Sequence, residues 1–397
     1  MKELRSFFEM ASLSLLPLLV LFLALYGPLR TEWGQGTGPA TSPSAAPAET
    51  PAPARPLAAK AEKLLLSPET TLPSPAAEAP AVDGLPLGET DAAPAAEEAE
   101  GEAAEVFHPV THDADVTVDI LFGSRVESMS LRDYLLGVVA AEMPASFQPA
   151  ALEAQAVAAR TDTFYRLLVA RPHKNAASCT DPGCCKAYLG PEELKRRWGA
   201  DYDRWASKIA AAVDATDGEI LVWEGAPIFA AFHACSEGRT EASEDVWVAA
   251  LPYLRSVPTM EMEADVPGFR STVRFGVEEL QGIIEEKVPG AALPEDPGEW
   301  LGGEHLSASG RLLSLEVGGV ALSGSAFRRL LGLRSAKISW SCADGVFTFE
   351  TAGYGHGVGL SQYGAEVMAK AGESCESILL HYYTGAVLSD LGEVFPG

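Results

Sequence analysis

YLLGVVAAEMPASFQPAALEAQAVAARTDTFY, residues Tyr134 to Tyr165, decides the fold because it predicts two helices and places one acid between them. Apolar residues lead up to Glu142, and Pro144 ends the first helix because proline cannot continue it. Glu142 therefore lies in the last helical turn, where the carbonyl ends disfavour a carboxylate. The helix end and the apolar neighbours both raise a carboxyl pKa towards neutrality, which is the state that a general acid needs.

Glu142 also has a structural interpretation. An acid at a helix end can point into solvent or cap the next helix, and perturbed acids occur in structural networks as well as in active sites. The residues of this stretch leave both interpretations open.

The second helix of the stretch is rich in alanine. We expect Ser146 to cap it and the helix to run to about Ala170. Arg160 falls close to its small-residue face, and an arginine on a closely packed face needs a partner. That partner is either an anionic or sugar ligand or a buried carboxylate.

Three blocks of the chain carry a specific resemblance. They are the stretch above, HACSEGRTEASEDVW from His233 and GYGHGVGLSQYGAEVMAKAG from Gly353, with PYLRSV from Pro252 between the last two. In this order they resemble the SpoIID family, stage II sporulation protein D. The resemblance covers most of the chain after residue 112 and implies one catalytic domain over residues 113–397.

The resemblance also implies an activity, a lytic transglycosylase that cuts the bond between N-acetylmuramic acid and N-acetylglucosamine in peptide-stripped peptidoglycan glycan strands during engulfment. Glu142 would be the catalytic acid, and the substrate-binding residues would be Arg160, His233, Tyr354 and Gln362. A lone histidine at a strand end, as His233 is, is otherwise more often structural. Stage II sporulation proteins P and M are the implied partners.

Two other functions stay open. Related amidase enhancers share parts of the domain and act without cleaving the wall themselves, and a zinc hydrolase is a third class. One departure from the family bears on the site, because Glu153 stands where relatives commonly carry lysine. This reversed charge leaves in doubt any contact that such a lysine makes with substrate.

Composition sets further bounds. The chain has 397 residues and a formal net charge of −26, so we expect no nucleic-acid binding. Residues 36–106 hold 12 acidic and 3 basic residues among many Pro, Ala and Ser. Such a segment cannot bury enough apolar surface to fold, and we predict a disordered linker over residues 30–112.

The beginning of the chain predicts a membrane anchor. No charge occurs from Met10 to Leu29, which is about the length that spans a bilayer, and Lys2 and Arg5 precede it. We expect residues 1–9 in the cytoplasm, an uncleaved single-pass helix over 10–29, and the domain outside the cytoplasm. The resemblance to the SpoIID family implies that this membrane is the mother-cell membrane and that the domain faces the intermembrane space. The alternative is a cleaved signal peptide, whose apolar core is shorter.

A loop after the second helix is rich in cysteine. His173, Cys179 and Cys185 form a His-x5-Cys-x5-Cys pattern that suits tetrahedral zinc, whereas disulfides among the six cysteines are the alternative in an exported domain. Some clostridial relatives hold zinc with a histidine and two cysteines at this spacing. On that likeness we expect a structural zinc on these three residues, beside Glu142.

The remaining chain alternates short strands with a few helices, which predicts an α+β domain of short antiparallel strands around a substrate groove. The glycines of GYGHGVG recur at every second residue, so the loop lacks the G-x-G-x-x-G pattern of a dinucleotide site. Small residues here let the backbone approach a ligand or another element closely. The search for a second catalytic carboxylate gives only Glu241 and Asp245.

Overall fold

The computed structural model describes residues 55–56, 111–247 and 249–395. These residues form a mixed α/β fold with short, mainly antiparallel sheets, as the sequence predicts. The expected anchor at residues 10–29 and nearly all of the expected linker lie outside them. Within the described part of the chain, no helix is both long enough and apolar enough to cross a membrane.

The first sheet is built on a hairpin. Residue alternation predicts that Val116–Leu121 pairs with Val126–Leu131 as a hairpin. β2, Val116–Phe122, pairs antiparallel with β3, Arg125–Ser130, which confirms it. Two short strands run parallel to β2: β1, Arg55–Pro56, at its beginning and β4, Ser178–Cys179, towards its end. Alternate β2 side chains are buried, so one face of the hairpin covers the core.

Two helices follow the hairpin directly. α1, Leu131–Glu142, begins where the Ser130 hydroxyl accepts a hydrogen bond from the Asp133 N–H, and it ends before Pro144 as predicted. α2, Pro149–Tyr165, continues through a π-helical turn to Ala170. The prediction that Ser146 caps α2 is wrong. Gln148 precedes the helix and Pro149, with its fixed φ, occupies the first turn.

The next helical segment is divided. The sequence predicts one helix over Lys195–Ala215, whereas the structure has α3, Pro191–Trp198, and α4, Tyr202–Ala215. The break falls at Gly199, whose φ of 54° lies outside the helical region. α4 packs against both α1 and α2.

The domain has two lobes, and a small sheet completes the first one, which also contains the first hairpin and the helices described above. β5, Glu219–Trp223, lies between β6, Ala226–Pro227, and the antiparallel strand β15, Val387–Asp390, which leads into α10, Leu391–Val394. These elements, the helices α1, α2 and α4 and the first hairpin share one hydrophobic core.

The second lobe has its own core and consists of two three-stranded antiparallel sheets with two helices. Its elements are β8 Arg270–Gly276, α6 Val277–Lys287, β9 Leu301–Leu306, β10 Leu312–Val317, β11 Val320–Ser323, α7 Gly324–Leu330, β12 Ile338–Ala343 and β13 Val346–Ala352.

After β13 the glycine-rich loop returns the chain to the first lobe. β14, Leu360–Ser361, pairs in parallel with β7, Phe232–His233, and leads into α8, Gln362–Lys370, and α9, Cys375–Tyr382. A Cβ at Gly359 would lie 2.0 Å from the Ala231 carbonyl oxygen, so only glycine allows this approach.

The sequence predicts strands over Pro227–His233 and over Leu251–Val257, and the structure corrects both. The segment Pro227–His233 holds only the last residue of β6 and the two residues of β7, and Leu251–Val257 forms no strand. Between these segments lies the short helix α5, Ser243–Val246. In these segments, side-chain hydroxyl groups accept backbone hydrogen bonds that a neighbouring strand would otherwise accept. The Val257 N–H donates to the Thr240 hydroxyl and the Leu251 N–H to that of Ser243.

Candidate active site

Glu142 is the last residue of α1, and its side chain is only half-buried. The backbone N–H of Ala187 donates a hydrogen bond to its Oε1 at 2.8 Å. Nε2 of Gln362, the first residue of α8, lies 3.5 Å from its Oε2, at the outer limit of a hydrogen bond. The end of α1, the segment after the cysteine-rich loop and the start of α8 therefore meet at one carboxyl group.

A second amide completes this group. Nε2 of Gln362 donates to Oε1 of Gln155 on α2 at 3.1 Å, and both side chains are buried. Nε2 of Gln155 has no hydrogen-bond partner among the described residues. In the sequence Gln155 is marked only as a polar residue among alanines, which does not predict this role.

The surroundings of Glu142 favour its neutral form. Burial raises the pKa of this carboxyl, while the Ala187 N–H, the Gln362 amide and the Lys186 ammonium lower it by smaller amounts. The net pKa stays above the ordinary glutamate value. The sequence predicts this direction, and burial is the larger cause.

A buried ion-pair network joins this acid to the cysteine-rich loop. Oδ2 of Asp162 on α2 accepts from Nζ of Lys186 at 2.5 Å and from Nε of Arg166 at 2.7 Å. Lys186 and Asp162 are almost fully buried. Lys186 directly precedes Ala187 in the chain. The residue that forms the ion pair with Asp162 is therefore adjacent to the residue that donates a hydrogen bond to Glu142.

The other end of the network reaches a cluster of four metal-ligating residues. The ligand atoms of His173, Cys179, Cys184 and Cys185 all lie within 4.8 Å of one another. His173 Nε2 lies 3.3 Å from the Cys185 sulfur and 3.6 Å from the Cys184 sulfur, and the two sulfurs are 3.8 Å apart. The structure thus brings together the three expected ligands and adds Cys184. All six cysteines are free thiols in this structure.

These separations fit tetrahedral zinc. Bonds of about 2.0–2.3 Å to nitrogen and sulfur place ligand atoms about 3.5–3.8 Å apart. Although burial raises the pKa of the Cys185 thiol, the Arg166 guanidinium and other neighbours lower it to about 7. A zinc ion held by three thiolates and a neutral imidazole would carry one net negative charge. Together with Asp162 that charge would balance the two cations, Arg166 and Lys186.

Comparison with known proteins identifies the family. The chain is 38% identical over 293 residues to Stage II sporulation protein D of Bacillus amyloliquefaciens, which covers 71% of this chain and 81% of the relative. The chain belongs to the SpoIID family. Residues 123–223 also match the SpoIID family model, described as Stage II sporulation protein.

Two further relatives extend this comparison. This SpoIID-family chain is 38% identical to Stage II sporulation protein D of Bacillus subtilis, over 67% of the chain and 76% of the relative. It is 28% identical to the Amidase enhancer of the same organism, over 64% of the chain and 40% of the relative. The residues of this chain that match the family model include α1, α2 and the cysteine-rich loop.

Arg160 does not reach the Glu142 site in this SpoIID-family fold. Its side chain is fully buried and forms a two-pronged ion pair with Asp113, with a shortest distance of 2.6 Å. Its other N–H groups donate to the carbonyls of Val213 and Glu219 and to the Thr216 hydroxyl. The prediction that Arg160 contacts a sugar is therefore corrected. Every N–H group of the guanidinium already has a partner. The partner is a buried carboxylate, which is the second of the two possibilities that the sequence leaves open.

His233 is also buried and has partners on both ring nitrogens. Nδ1 donates to the Val358 carbonyl at 3.2 Å, and Nε2 lies 2.7 Å from the Ser236 hydroxyl. Burial lowers the pKa of His233 well below its ordinary value, so the ring is neutral. In this structure His233 joins β7 to the glycine-rich loop, and no contact with Glu142 is present among the described residues.

Tyr354 lies apart from Glu142 as well. Its side chain is 44% exposed, and the Arg334 guanidinium stacks 4.3 Å from the ring centre. Its backbone pairs with that of Cys235. Of the four predicted substrate-binding residues, only Gln362 contacts the catalytic candidate directly.

Proposed function

We propose that this protein is a peptidoglycan lytic transglycosylase whose general acid is Glu142. The observation that carries the proposal is a half-buried carboxyl group at the end of α1, with a raised pKa and held between the Ala187 N–H and the Gln362 amide. Membership of a sporulation family supports the biological setting. The substrate class follows from the family resemblance.

The reaction needs one carboxyl group in two states. Protonated Glu142 gives its proton to the glycosidic oxygen as the bond from C1 of the muramic residue to that oxygen breaks. The resulting carboxylate takes the proton from the C6 hydroxyl, whose oxygen bonds to C1 and closes a 1,6-anhydro ring. Water does not enter, so a second catalytic carboxylate is not required, in contrast to ordinary glycosidases.

The neighbours of Glu142 suit both states. Burial favours the acid before bond cleavage, while the Ala187 N–H and the Gln362 amide stabilise the carboxylate that follows. Gln155 fixes the Gln362 amide through a hydrogen bond to its NH2 group. We assign Gln155 and Gln362 as positioning residues for the acid.

We also propose a structural zinc ion on His173, Cys179, Cys184 and Cys185. When bound, the ion would fold the loop, and because four protein ligands fill a tetrahedron, it would leave no position for water. The loop residues in turn hold Lys186 and Ala187 beside Glu142. A zinc hydrolase, which needs an open position on the metal, is disfavoured by this ligand set.

The location of the enzyme is a further part of the proposal. Residues 10–29 would anchor the chain in the mother-cell membrane, with residues 1–9 in the cytoplasm and the catalytic domain in the intermembrane space. Stage II sporulation proteins P and M would be its partners there. The apolar, uncharged run and the family membership support this arrangement.

The test is product analysis with peptide-stripped glycan strands. The full chain should release 1,6-anhydro products identifiable by mass, and Glu142→Gln should lower their rate by about 10²–10⁴-fold. Glu373→Gln is the matched control, because Glu373 is exposed just beyond α8. The control should cleave at the normal rate.

The second candidate function is that of a non-catalytic wall-binding protein, which the similarity to the Amidase enhancer supports. It predicts binding to glycan strands without anhydro products. Unchanged product release by Glu142→Gln would overturn the role of this acid, and absence of product from the unaltered chain would favour the second candidate.

A further inference from the structure

A cavity of about 400 Å³ lies between the two lobes, away from the candidate active site. Its wall is formed by Glu241 and Trp247 from the loop after β7, by Arg311 and Arg328 from the second lobe, and by His356 from the glycine-rich loop. Neither Glu142 nor Gln362 belongs to its lining among the described residues. The cavity is therefore a separate site.

Arg311 is the unusual residue of this cavity. Its side chain is 3% exposed, and its Nη2 donates to the Gly355 carbonyl at 2.7 Å. Its Nε and Nη1 have no hydrogen-bond partner among the described residues. The nearest Glu241 oxygen is 3.9 Å from Nε, too far for a hydrogen bond, and already accepts one from the Ser309 hydroxyl.

The glycine-rich loop is shaped around this guanidinium. A Cβ at Gly357 would lie 2.8 Å from Cζ of Arg311, so the backbone passes directly against the group. Buried donors without partners are rare in proteins because desolvation without a hydrogen bond is unfavourable. Both nitrogens are covered, so an acceptor in the cavity would remove this imbalance once the side chain turns them towards it.

The rest of the lining indicates the class of ligand. A guanidinium pairs best with a carboxylate, and Arg328 adds a second guanidinium to the wall. Asp245 offers an acceptor for hydroxyl groups, since Glu241 already accepts from Ser309 and Glu244 from Arg255, while the half-buried ring of Trp247 offers an apolar face. The volume lies near the lower end of the range of small-molecule sites, which is about 300–1,000 Å³.

We propose that this cavity binds one sugar unit that carries a free carboxylate, with Arg311 as the anchor. The proposal rests on the proposed function. In a strand without stem peptides, the lactyl group of each muramic residue ends in a free carboxylate, whereas an attached peptide converts it to a neutral amide. The cavity then gives a physical reason why a stripped strand is preferred.

The experiment measures equilibrium binding to the full-length Glu142→Gln protein, so that no cleavage takes place. Three ligands are compared: a peptide-stripped tetrasaccharide, the same compound with its lactyl carboxylates converted to methyl amides, and a muramyl peptide with a terminal carboxylate. We expect the methyl amide to bind about ten-fold to a hundred-fold more weakly than the stripped compound. Equal binding of these two would overturn the proposal, and preference for the muramyl peptide would assign the anion to the peptide and overturn it too.

Variants on the same background test the anchor. Arg311→Gln should weaken binding of the stripped compound to the level of the methyl amide, without a further effect on the methyl amide itself. Arg329→Gln, an exposed neighbour on α7, is the control and should change neither. An equal loss for both ligands with Arg311→Gln would contradict the carboxylate pairing. If Arg311→Gln fails to fold, the comparison of the three ligands on the Glu142→Gln protein still tests the proposal.

Failure here and failure of the proposed function are distinguishable. Binding that depends on the carboxylate can exist without anhydro products, and anhydro products can form without this dependence. The two experiments therefore report on different residues and different steps.

Discussion

The backbone N–H of Ala187 donates to Oε1 of Glu142 at 2.8 Å, and this single hydrogen bond joins the cysteine-rich loop to the candidate acid. Cys185, Lys186 and Ala187 are consecutive, so a candidate metal ligand, a buried ion pair and a contact to the acid follow one another along the chain. The position of Glu142 thus depends on the fold of a loop that has little regular structure of its own.

The first prediction concerns stability and pH. Because burial raises the pKa of Glu142, the folded chain binds its proton more tightly than the unfolded chain. The stabilisation that this proton gives to the fold is fully present at pH values below the pKa of Glu142 in the unfolded chain. It is lost as the pH rises through the pKa of Glu142 in the folded chain. We expect Glu142→Gln to raise the melting temperature at pH 8 but not at pH 4, as measured by circular dichroism. Equal shifts at both pH values would contradict a raised pKa.

The second prediction concerns Gln362. Its amide lowers the pKa of Glu142, so its removal should raise that pKa further. We expect Gln362→Ala to lower kcat about ten-fold and to move the alkaline fall of the rate to higher pH. Rates on stripped glycan between pH 4 and 9 test this, with Gln281→Ala on the surface helix α6 as the control. A lower rate without a shift in the profile would indicate a purely steric role.

The third prediction separates structure from substrate binding at Arg160. Arg160→Met leaves Asp113 buried without a partner and should lower the free energy of unfolding by about 3–5 kcal/mol. The double variant with Asp113→Leu should recover part of that loss. Arg132→Met, which breaks an exposed pair with Asp214, should cost only about 0–1 kcal/mol. Urea unfolding distinguishes these values, and a stable Arg160→Met protein with weaker glycan binding would restore a substrate role.

The sequence predicts those features of the site that are local in the chain. Pro144 ends α1, and this alone places Glu142 at a helix terminus beside apolar residues. The hairpin and the two helices follow from periodicity and from the positions of Pro residues in the same way.

Other features depend on contacts between distant segments and could not be predicted. Gln155 acquires its role only when α8 brings Gln362 against α2. Cys184 joins the cluster because the N–H groups of Cys184 and Cys185 both donate to the Asp181 carbonyl, a turn that the residue pattern does not specify. For Arg160 the sequence offers two partners, and only the packing of Asp113 decides between them.

The fourth prediction concerns Glu153, a position at which the family resemblance leads us to expect lysine. Gln155 faces the Glu142 site, and at 100° per residue Glu153 lies on nearly the opposite side of α2, where its charge acts on Glu219. We therefore expect Glu153→Lys to leave the cleavage rate unchanged and to raise the free energy of unfolding by about 0.5 kcal/mol or less. Gln155→Leu is the contrasting variant and should slow cleavage. A marked change of rate with Glu153→Lys would show that this face also meets the strand.

The fifth prediction concerns the metal. We expect about one zinc ion per chain. Cys184→Ser should lower zinc affinity at least about ten-fold, as Cys179→Ser should, because each removes one of four ligands. Cys342→Ser lies outside the cluster and should bind zinc normally.

Chelation should lower the melting temperature and the cleavage rate together, since the loop that holds Ala187 against Glu142 would lose its fold. Zinc content, thermal unfolding and product release measured on the same samples test this link. Loss of cleavage at an unchanged melting temperature would instead place the metal in the reaction. Normal zinc affinity in Cys184→Ser would return the site to the three ligands expected from the sequence, with a fourth position open to water.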